Sequence, residues 1–369
     1  MSSFADFQLL PSLQETLAAE GLVTPTEIQA RAMPALLAGK SVIGLSETGS
    51  GKTLAFALPV LHLLKTMEVE GNPVSEEARP RAVVVVPTRE LGEQVTRAFK
   101  PFTHTTRLRV RSALGGLKYE AVKRNVEGRF EVLVATPGRL LQLMEGEKVG
   151  LGDVRLLVFD EADRMLDKGF LPDAQRIAGA CPPARQMALF SATVSPSVEG
   201  LMNKLFAGAE LIRSGGSHRV VSTLKTVNLD VPNGKRFPLL EDLLDEKVDG
   251  GTLVFTNTRQ QCDDLAALIR ESGRECRVYR GEMDKVERRA NLKAFREGEI
   301  DLLIATDLGS RGLDLEQVVR VINYHLPSNP ENYLHRVGRT ARAGRKGLVV
   351  NLVTERDARL IEKLAGLKA

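Results

Sequence analysis

The chain has 369 residues, of which 43% are hydrophobic and 27% charged, with a net charge of +4. That length favours two domains, and the hydrophobic share supports packed cores, which excludes a disordered or low-complexity chain. The charge excess is mild: it permits a polyanionic partner without requiring one, because local patches outweigh the sum.

The first residues, MSSFADFQLL, carry neither a basic segment nor a long apolar core, so no signal peptide is expected. No stretch is long and apolar enough to span a bilayer, so no membrane partner is expected either. Cys181, Cys262 and Cys276 show no pair motif and no metal spacing. A sparse, odd set of this kind reads as structural thiols in a reducing compartment, hence a cytoplasmic protein.

The first strand-like run, SVIGL, leads into SETGSGKT (46–53). This nearly matches the phosphate loop G-x-x-x-x-G-K-[ST], with Ser46 in place of the first glycine. Gly49 and Gly51 let successive N–H groups turn inward around phosphate. Lys52 would reach the β- and γ-phosphates, and Thr53 would offer a hydroxyl to Mg²⁺. A helical pattern from Thr53 to Leu64 follows, so phosphate would sit at a helix N-terminus. The plain alternative is a glycine turn ending by chance in Lys-Thr.

Four further apolar runs follow in the first half: AVVVVP, EVLVAT, LLVFDE and MALFSAT. The second half contributes LKTVNLDV, GTLVFTN, DLLIATD, VVRVINY and GLVVNLV. Continuous apolar runs alternating with helical patterns predict buried parallel strands, an α/β class of open sheets. So many strands exceed one core, and the boundary is expected in IRSGGSHRVVS (212–222). The expected division is a first domain at 1–213, a linker at 214–222 and a second domain at 223–369.

LLVFDEADRMLDKGF places Asp160–Asp163 at the end of a buried strand, where ligands of parallel sheets sit. Asp160 suits a metal held against phosphates, and Glu161 suits orienting the attacking water. Near the end, HRVGRTARAGRK packs Arg336, Arg339, Arg342, Arg345 and Lys346 into a short span. An inserted arginine stabilises charge on a transferring phosphoryl group by roughly 10³–10⁵ in rate. A generic basic surface patch is the alternative.

Taken in order, these motifs resemble the DEAD-box RNA helicase family, from about Phe4 to about Gly347. The resemblance implies two RecA-like domains, each a mostly parallel sheet flanked by helices and joined by a short flexible linker. It implies ATP and Mg²⁺ as cofactors. GLVTPTEIQ resembles the adenine-reading motif, with Gln29 as reader, Thr26 beside it, and Phe4 as the isolated aromatic upstream. ATP binding then involves Phe4, Thr26, Gln29, Ser46, Thr48, Gly49, Ser50, Gly51, Lys52, Thr53 and Asp314. The metal is held by Thr53 and by Asp160, the latter through water. PTRELGEQ, Gly115–Gly116 and TPGR resemble RNA-backbone contacts, giving Pro87, Thr88, Arg89, Gly115, Gly116, Thr136, Pro137, Gly138 and Arg139. Arg288, Thr306 and Arg311 are their counterparts in the second half. SAT resembles the coupling element, through Asp163, Ser191, Thr193 and His335. Arg339 and Arg342 match the arginine fingers, so the implied catalytic set is Lys52, Asp160, Glu161, Arg339 and Arg342.

Thr and Arg side chains and glycine N–H groups suit phosphate oxygens, which position a strand without reading bases. With no Trp and 5% aromatics, base-stacking platforms are scarce. Sequence-tolerant binding of the RNA sugar–phosphate backbone is therefore expected, by a monomer. The resemblance adds that tails often confer RNA specificity in this family. With about 22 residues beyond Gly347, a generic core is expected, or specificity supplied by a protein partner.

Four positions depart from the family pattern. Leu22 stands where an aromatic is usual, and weaker adenine packing is expected. Ser46 replaces a small apolar residue, with little effect expected. Lys285 stands where glutamine is common. His325 stands where aspartate is common and is read as a tolerated surface substitution, the alternative being a pH-sensitive group near the cleft. The function expected is RNA-stimulated ATP hydrolysis coupled to domain closure and local, non-processive unwinding. The alternatives are an ATP-gated RNA clamp with little unwinding, and a DNA-directed motor.

Overall fold

The computed structural model describes residues 3–46, 49–167, 169–194, 196–214, 224–307, 315, 317–328, 330–340 and 347–366. Its contacts divide the chain into two units, Met1–Ser217 and His218–Ala369.

The first unit is built on β1 (Val42–Leu45), β2 (Ala82–Val85), β3 (Val110–Ala113), β4 (Val132–Ala135), β5 (Leu156–Phe159), β6 (Gln186–Ser191) and β7 (Glu210–Arg213). They form one seven-stranded sheet in the order β3-β4-β2-β5-β6-β1-β7. All of its pairings are parallel. Parallel strands need crossovers, and the helices supplying them cover both faces. Successive side chains on a strand point to opposite faces, so each apolar run divides between two cores. Val42, Val84, Val134, Val158 and Phe190 pack with helices Glu27–Leu37, Lys52–Val69 and Arg89–Thr106. Ile43, Val83, Leu133, Phe159 and Leu189 pack with helices Pro137–Glu145, Leu171–Gly179 and Pro196–Leu205. This two-sided burial is why these strands read as unbroken apolar runs.

The second unit repeats the plan with β8 (Leu224–Asp230), β9 (Gly251–Thr256), β10 (Arg277–Tyr279), β11 (Leu302–Thr306), β12 (Val318–Asn323) and β13 (Gly347–Val353). The order is β10-β11-β9-β12-β13-β8, again parallel throughout. Leu253, Phe255, Leu303 and Val321 face helices Lys285–Arg296 and Pro330–Val337. Val254, Ile304, Ile322 and Val350 face helices Arg236–Asp245 and Arg259–Glu271.

All ten runs identified in the sequence are strands. The three strands it did not reveal, β3, β7 and β10, each lie at a sheet edge. The cysteines are free and buried, and burial pushes the Cys181 thiol up to about 11 and the Cys262 thiol up to about 12. Among the described residues, no helix is long and apolar enough to cross a membrane.

Candidate functional site

In the first unit the predicted site residues gather at the carboxyl ends of β1, β5 and β6. The loop after β1 turns through Gly49 (φ 86°) and Gly51 (φ 89°), conformations that cost a residue with a Cβ. Ser46 is fully buried. Its N–H donates to the Ser191 carbonyl at 3.0 Å, its hydroxyl meets that of Ser50 at 2.8 Å, and its carbonyl accepts from Lys52 Nζ at 2.7 Å. Serine therefore fits the start of the loop: its backbone ties the loop to the end of β6 and its hydroxyl ties it to Ser50. Lys52 opens helix Lys52–Val69, with Thr53 as its second residue.

Gln29 is buried at 3% exposure, on the helix opened by Thr26. Its Oε1 accepts from Thr26 N at 2.8 Å and its Nε2 donates to the Gly51 carbonyl at 2.9 Å. The expected adenine reader thus also braces the phosphate loop. Phe4 is 2% exposed and stands edge-on to Phe7 at 6.0 Å, so it packs within the core rather than presenting an open stacking face. Leu22 is partly buried against the same core.

Asp160 follows β5 and is 2% exposed; its Oδ1 accepts from Glu161 N at 2.9 Å. Burial, and then the neighbouring Glu161 charge, push its carboxyl up to about 7, against the pull of Lys52. A buried carboxylate held that high is stabilised in its charged form by a nearby cation. Asp160 and the Thr53 hydroxyl form an all-oxygen donor set, which fits a small hard ion such as Mg²⁺ alongside phosphate oxygens. Among the described residues, no three His, Cys, Asp or Glu side chains are grouped to hold a metal unaided.

Glu161 has φ 49°, in the left-handed region, and its carboxylate forms a buried ion pair with Arg164. Asp163 locks the acidic turn to the end of β6. Its Oδ2 accepts from Ala192 N at 3.2 Å, Thr193 N at 3.1 Å and Thr193 Oγ1 at 3.1 Å, and its own N–H donates to Ser191 Oγ at 3.2 Å.

The expected RNA contacts of this unit lie on neighbouring loops. Thr88 caps helix Arg89–Thr106 by accepting from Leu91 N at 3.2 Å, and Arg89 pairs with Glu93 at 2.8 Å. Thr136 Oγ1 accepts from Gly115 N at 3.0 Å, joining two of the predicted contacts directly. Gly116 has φ 81°. Pro137 and Gly138 open the next helix, and Arg139 donates to the Leu117 carbonyl at 2.6 Å.

In the second unit Thr306 ends β11 and is buried, while Arg288 on helix Lys285–Arg296 stands 5.8 Å over the Tyr279 ring. Arg339 is 2% exposed; its Nε donates to the His335 carbonyl at 3.1 Å. Thr48, Arg311, Asp314 and Arg342 lie outside the described residues, as does the side chain of Lys285.

His325 departs from its expected role. It is half-buried rather than fully on the surface: its Nδ1 is buried with no partner among the described residues, and its ring lies 5.0 Å from that of Tyr324. Burial, then the charges of Arg236 and Arg336, lower its pKa to about 4, against Asp357. Reasoning from the sequence also missed Arg164 and the structural role of Arg336. Arg336 was visible only as one of several basic residues, and spacing does not tell an inward arginine from an outward one.

Comparison with known proteins agrees with this geometry. A family model described as DEAD/DEAH box helicase matches residues 26–201, and one described as helicase conserved C-terminal domain matches residues 235–344. The chain is 35% identical to the RNA helicase CrhR of Synechocystis, over 98% of this chain and 72% of that protein. It is 35% identical to the ATP-dependent RNA helicase RhlB of Pectobacterium carotovorum, over 96% of this chain and 83% of the relative. Among solved structures, S. cerevisiae Dbp5 bound to RNA and ADP BeF3 superposes with a TM-score of 0.86 at 28% identity, covering 100% of this chain and 94% of that one.

Proposed function

The chain belongs to the DEAD-box family of ATP-dependent RNA helicases, ATP-hydrolysing enzymes, and on that premise we propose that its hydrolysis is gated by closure of its two units over RNA. The observation that carries this reading is the split of the machinery: Lys52, Asp160 and Glu161 belong to one unit and Arg339 to the other. An arginine worth roughly 10³–10⁵ in rate is then supplied only when the units meet.

In this reading Gln29 and Thr26 take the adenine, Phe4 backs them, and the N–H groups of Gly49 to Gly51 cradle the phosphates with Lys52. Asp160, through water, and Thr53 would hold Mg²⁺, which when bound offsets phosphate charge. Glu161 orients the attacking water and takes its proton. The water oxygen bonds to the γ-phosphorus as the β–γ bridging bond breaks, and ADP leaves with the bridging oxygen. Arg339 and Arg342 stabilise the charge on the equatorial oxygens, and Asp314 lies near the ribose.

RNA is held by its sugar–phosphate backbone, through Pro87, Thr88, Arg89, Gly115, Gly116 and Thr136–Arg139 in one unit and Arg288, Thr306 and Arg311 in the other. Asp163, Ser191, Thr193 and His335 link its occupancy to hydrolysis. The closed form grips one strand and releases a short duplex locally, without processive travel. The reading includes a monomer working in the cytoplasm, with a protein partner supplying RNA specificity.

The test is steady-state ATP turnover with and without single-stranded RNA, with Lys52→Ala as control, alongside duplex release per ATP. RNA-stimulated turnover that Lys52→Ala abolishes, together with strand release, is the expected result. ATP-dependent RNA retention without strand release would replace the helicase with a clamp, and preference for a matched DNA strand would make it a DNA-directed motor.

A further inference from the structure

Arg336 has a fully committed guanidinium. It is 1% exposed, and its Cζ lies 5.0 Å over the Phe255 ring. Nε donates to Asp307 Oδ1 at 2.6 Å, and Nη2 to Asp307 Oδ2 and Asn257 Oδ1, both at 2.8 Å. Nη1 donates to Asn323 Oδ1 at 3.2 Å and to the His325 carbonyl at 2.6 Å. A guanidinium has five N–H protons, and these bonds use all five. The charge is met by a bidentate carboxylate, the geometry arginine fits and lysine does not. Nothing is left on Arg336 to bind a phosphate.

The acceptors lie at the carboxyl ends of three strands: Asn257 just after β9, Asp307 just after β11, and Asn323 and His325 at and beyond the end of β12. The network continues across the sheet. Asn323 Nδ2 donates to Asn351 Oδ1 at 2.8 Å, and Asn351 Nδ2 donates to Asn228 Oδ1 at 2.7 Å and Tyr333 Oη at 3.0 Å. A polar chain, buried at Arg336, Asn323 and Asn351 and reaching the surface at Asn228, therefore crosses from β11 to β8, and both Tyr333 and Arg336 fasten helix Pro330–Val337 onto it. Arg339 hangs from the end of that helix: its backbone N–H donates to the Arg336 carbonyl at 3.1 Å, and its Nε to the His335 carbonyl.

We infer that Arg336 is a positioning residue that sets the register of Arg339 and, through Asp307 beside Thr306, ties that register to the RNA-side end of β11. This inference rests on the proposed role of Arg339 as an arginine finger. A helix freed from the sheet would let Arg339 stray by about an ångström, enough to cost about 10²-fold in rate.

The experiment is a cycle of Arg336→Met, Arg339→Ala and the double variant, read as RNA-stimulated kcat and KM for ATP. Arg336→Met is expected to lower kcat by roughly 10- to 100-fold with KM for ATP unchanged. In the Arg339→Ala background it should cost nothing further, because the two act as one unit. Arg336→Lys, which keeps the charge but has three donors, should recover only part of the loss. If Arg336→Met does not fold, Asn257→Ala, which removes one acceptor, carries the same cycle with a smaller loss. Multiplicative losses, or a rise in KM with kcat intact, would overturn the inference while leaving the finger in place. If Arg339→Ala alone leaves RNA-stimulated kcat unchanged, the finger reading fails and this inference fails with it.

Discussion

Glu161 sits in a backbone conformation that costs a non-glycine residue about 1–3 kcal/mol, and its carboxylate is tied to a buried arginine. Such strain persists where the surroundings over-determine it, and here Asp163 bolts the same turn to Ala192 and Thr193. Arg164 therefore fixes where the Glu161 carboxylate points. Glu161→Gln should lower single-turnover hydrolysis at saturating RNA by about 10²–10⁴-fold, the span of general-base catalysis. Arg164→Met should remove a smaller share, about tenfold, by loosening the same group. A Glu161→Gln variant as fast as the wild type would end the assignment. The sequence showed the acid but not its partner, because the i,i+3 pair forms only once the turn after β5 has closed and been buried.

His325 makes a separate prediction at the same scale. The groups facing it are Arg236, Arg336 and Asp357, and its pKa falls from 6.5 to about 4 in the folded chain. Between those values the unfolded chain takes a proton that the folded chain refuses, so stability rises with pH across that window and is lost as pH falls through it. Above pH about 6.5 both forms are neutral and the effect vanishes. His325→Gln should flatten the decline of the urea midpoint between pH 6.5 and 4. Parallel declines in the two proteins would show that the acid sensitivity lies elsewhere.

At the scale of elements, legibility follows burial. The inner strands announce themselves because both faces are covered, as in AVVV of β2 and LLVF of β5. The edge strands β3, β7 and β10 were not legible: VRSA, ELIR and RVY carry charge on faces that meet water. β8, also an edge, was legible because its longer LKTVNLD run still carries Leu224, Val227 and Leu229. The phosphate loop was legible from its glycines, but its brace was not, because Gln29 is 22 residues away and meets Gly51 only in the fold. A Cβ at Gly51 would stand 2.6 Å from Gln29 Nε2, in a left-handed conformation costing roughly 1–2 kcal/mol more for alanine. Gly51→Ala should therefore weaken ATP binding sharply while shifting Tm by only a few degrees, since the loop lies outside both cores. Nucleotide titration beside a thermal melt checks this; unchanged affinity would mean that the loop tolerates a different turn.

At the scale of the molecule, the two units share a plan but not a chemistry. The first has the phosphate loop and the acids; the second has Arg339, next to a network in which every N–H of Arg336 is taken by a protein acceptor. If closure joins them, ATP and RNA each favour the closed form, and their binding is coupled by one free energy that both ligands share. RNA should then tighten a non-hydrolysable ATP analogue by the factor by which the analogue tightens RNA, on the order of 5–150-fold. Arg339→Ala should bring that factor toward one while sparing each ligand's affinity alone, because the arginine acts only across the closed form. Paired titrations, with salt held constant because phosphate contacts weaken steeply as salt rises, decide the matter. A factor of one in the wild type would mean that the units bind their ligands independently. Persistence of the full factor in Arg339→Ala would mean that closure is driven by other contacts, with the arginine serving chemistry alone.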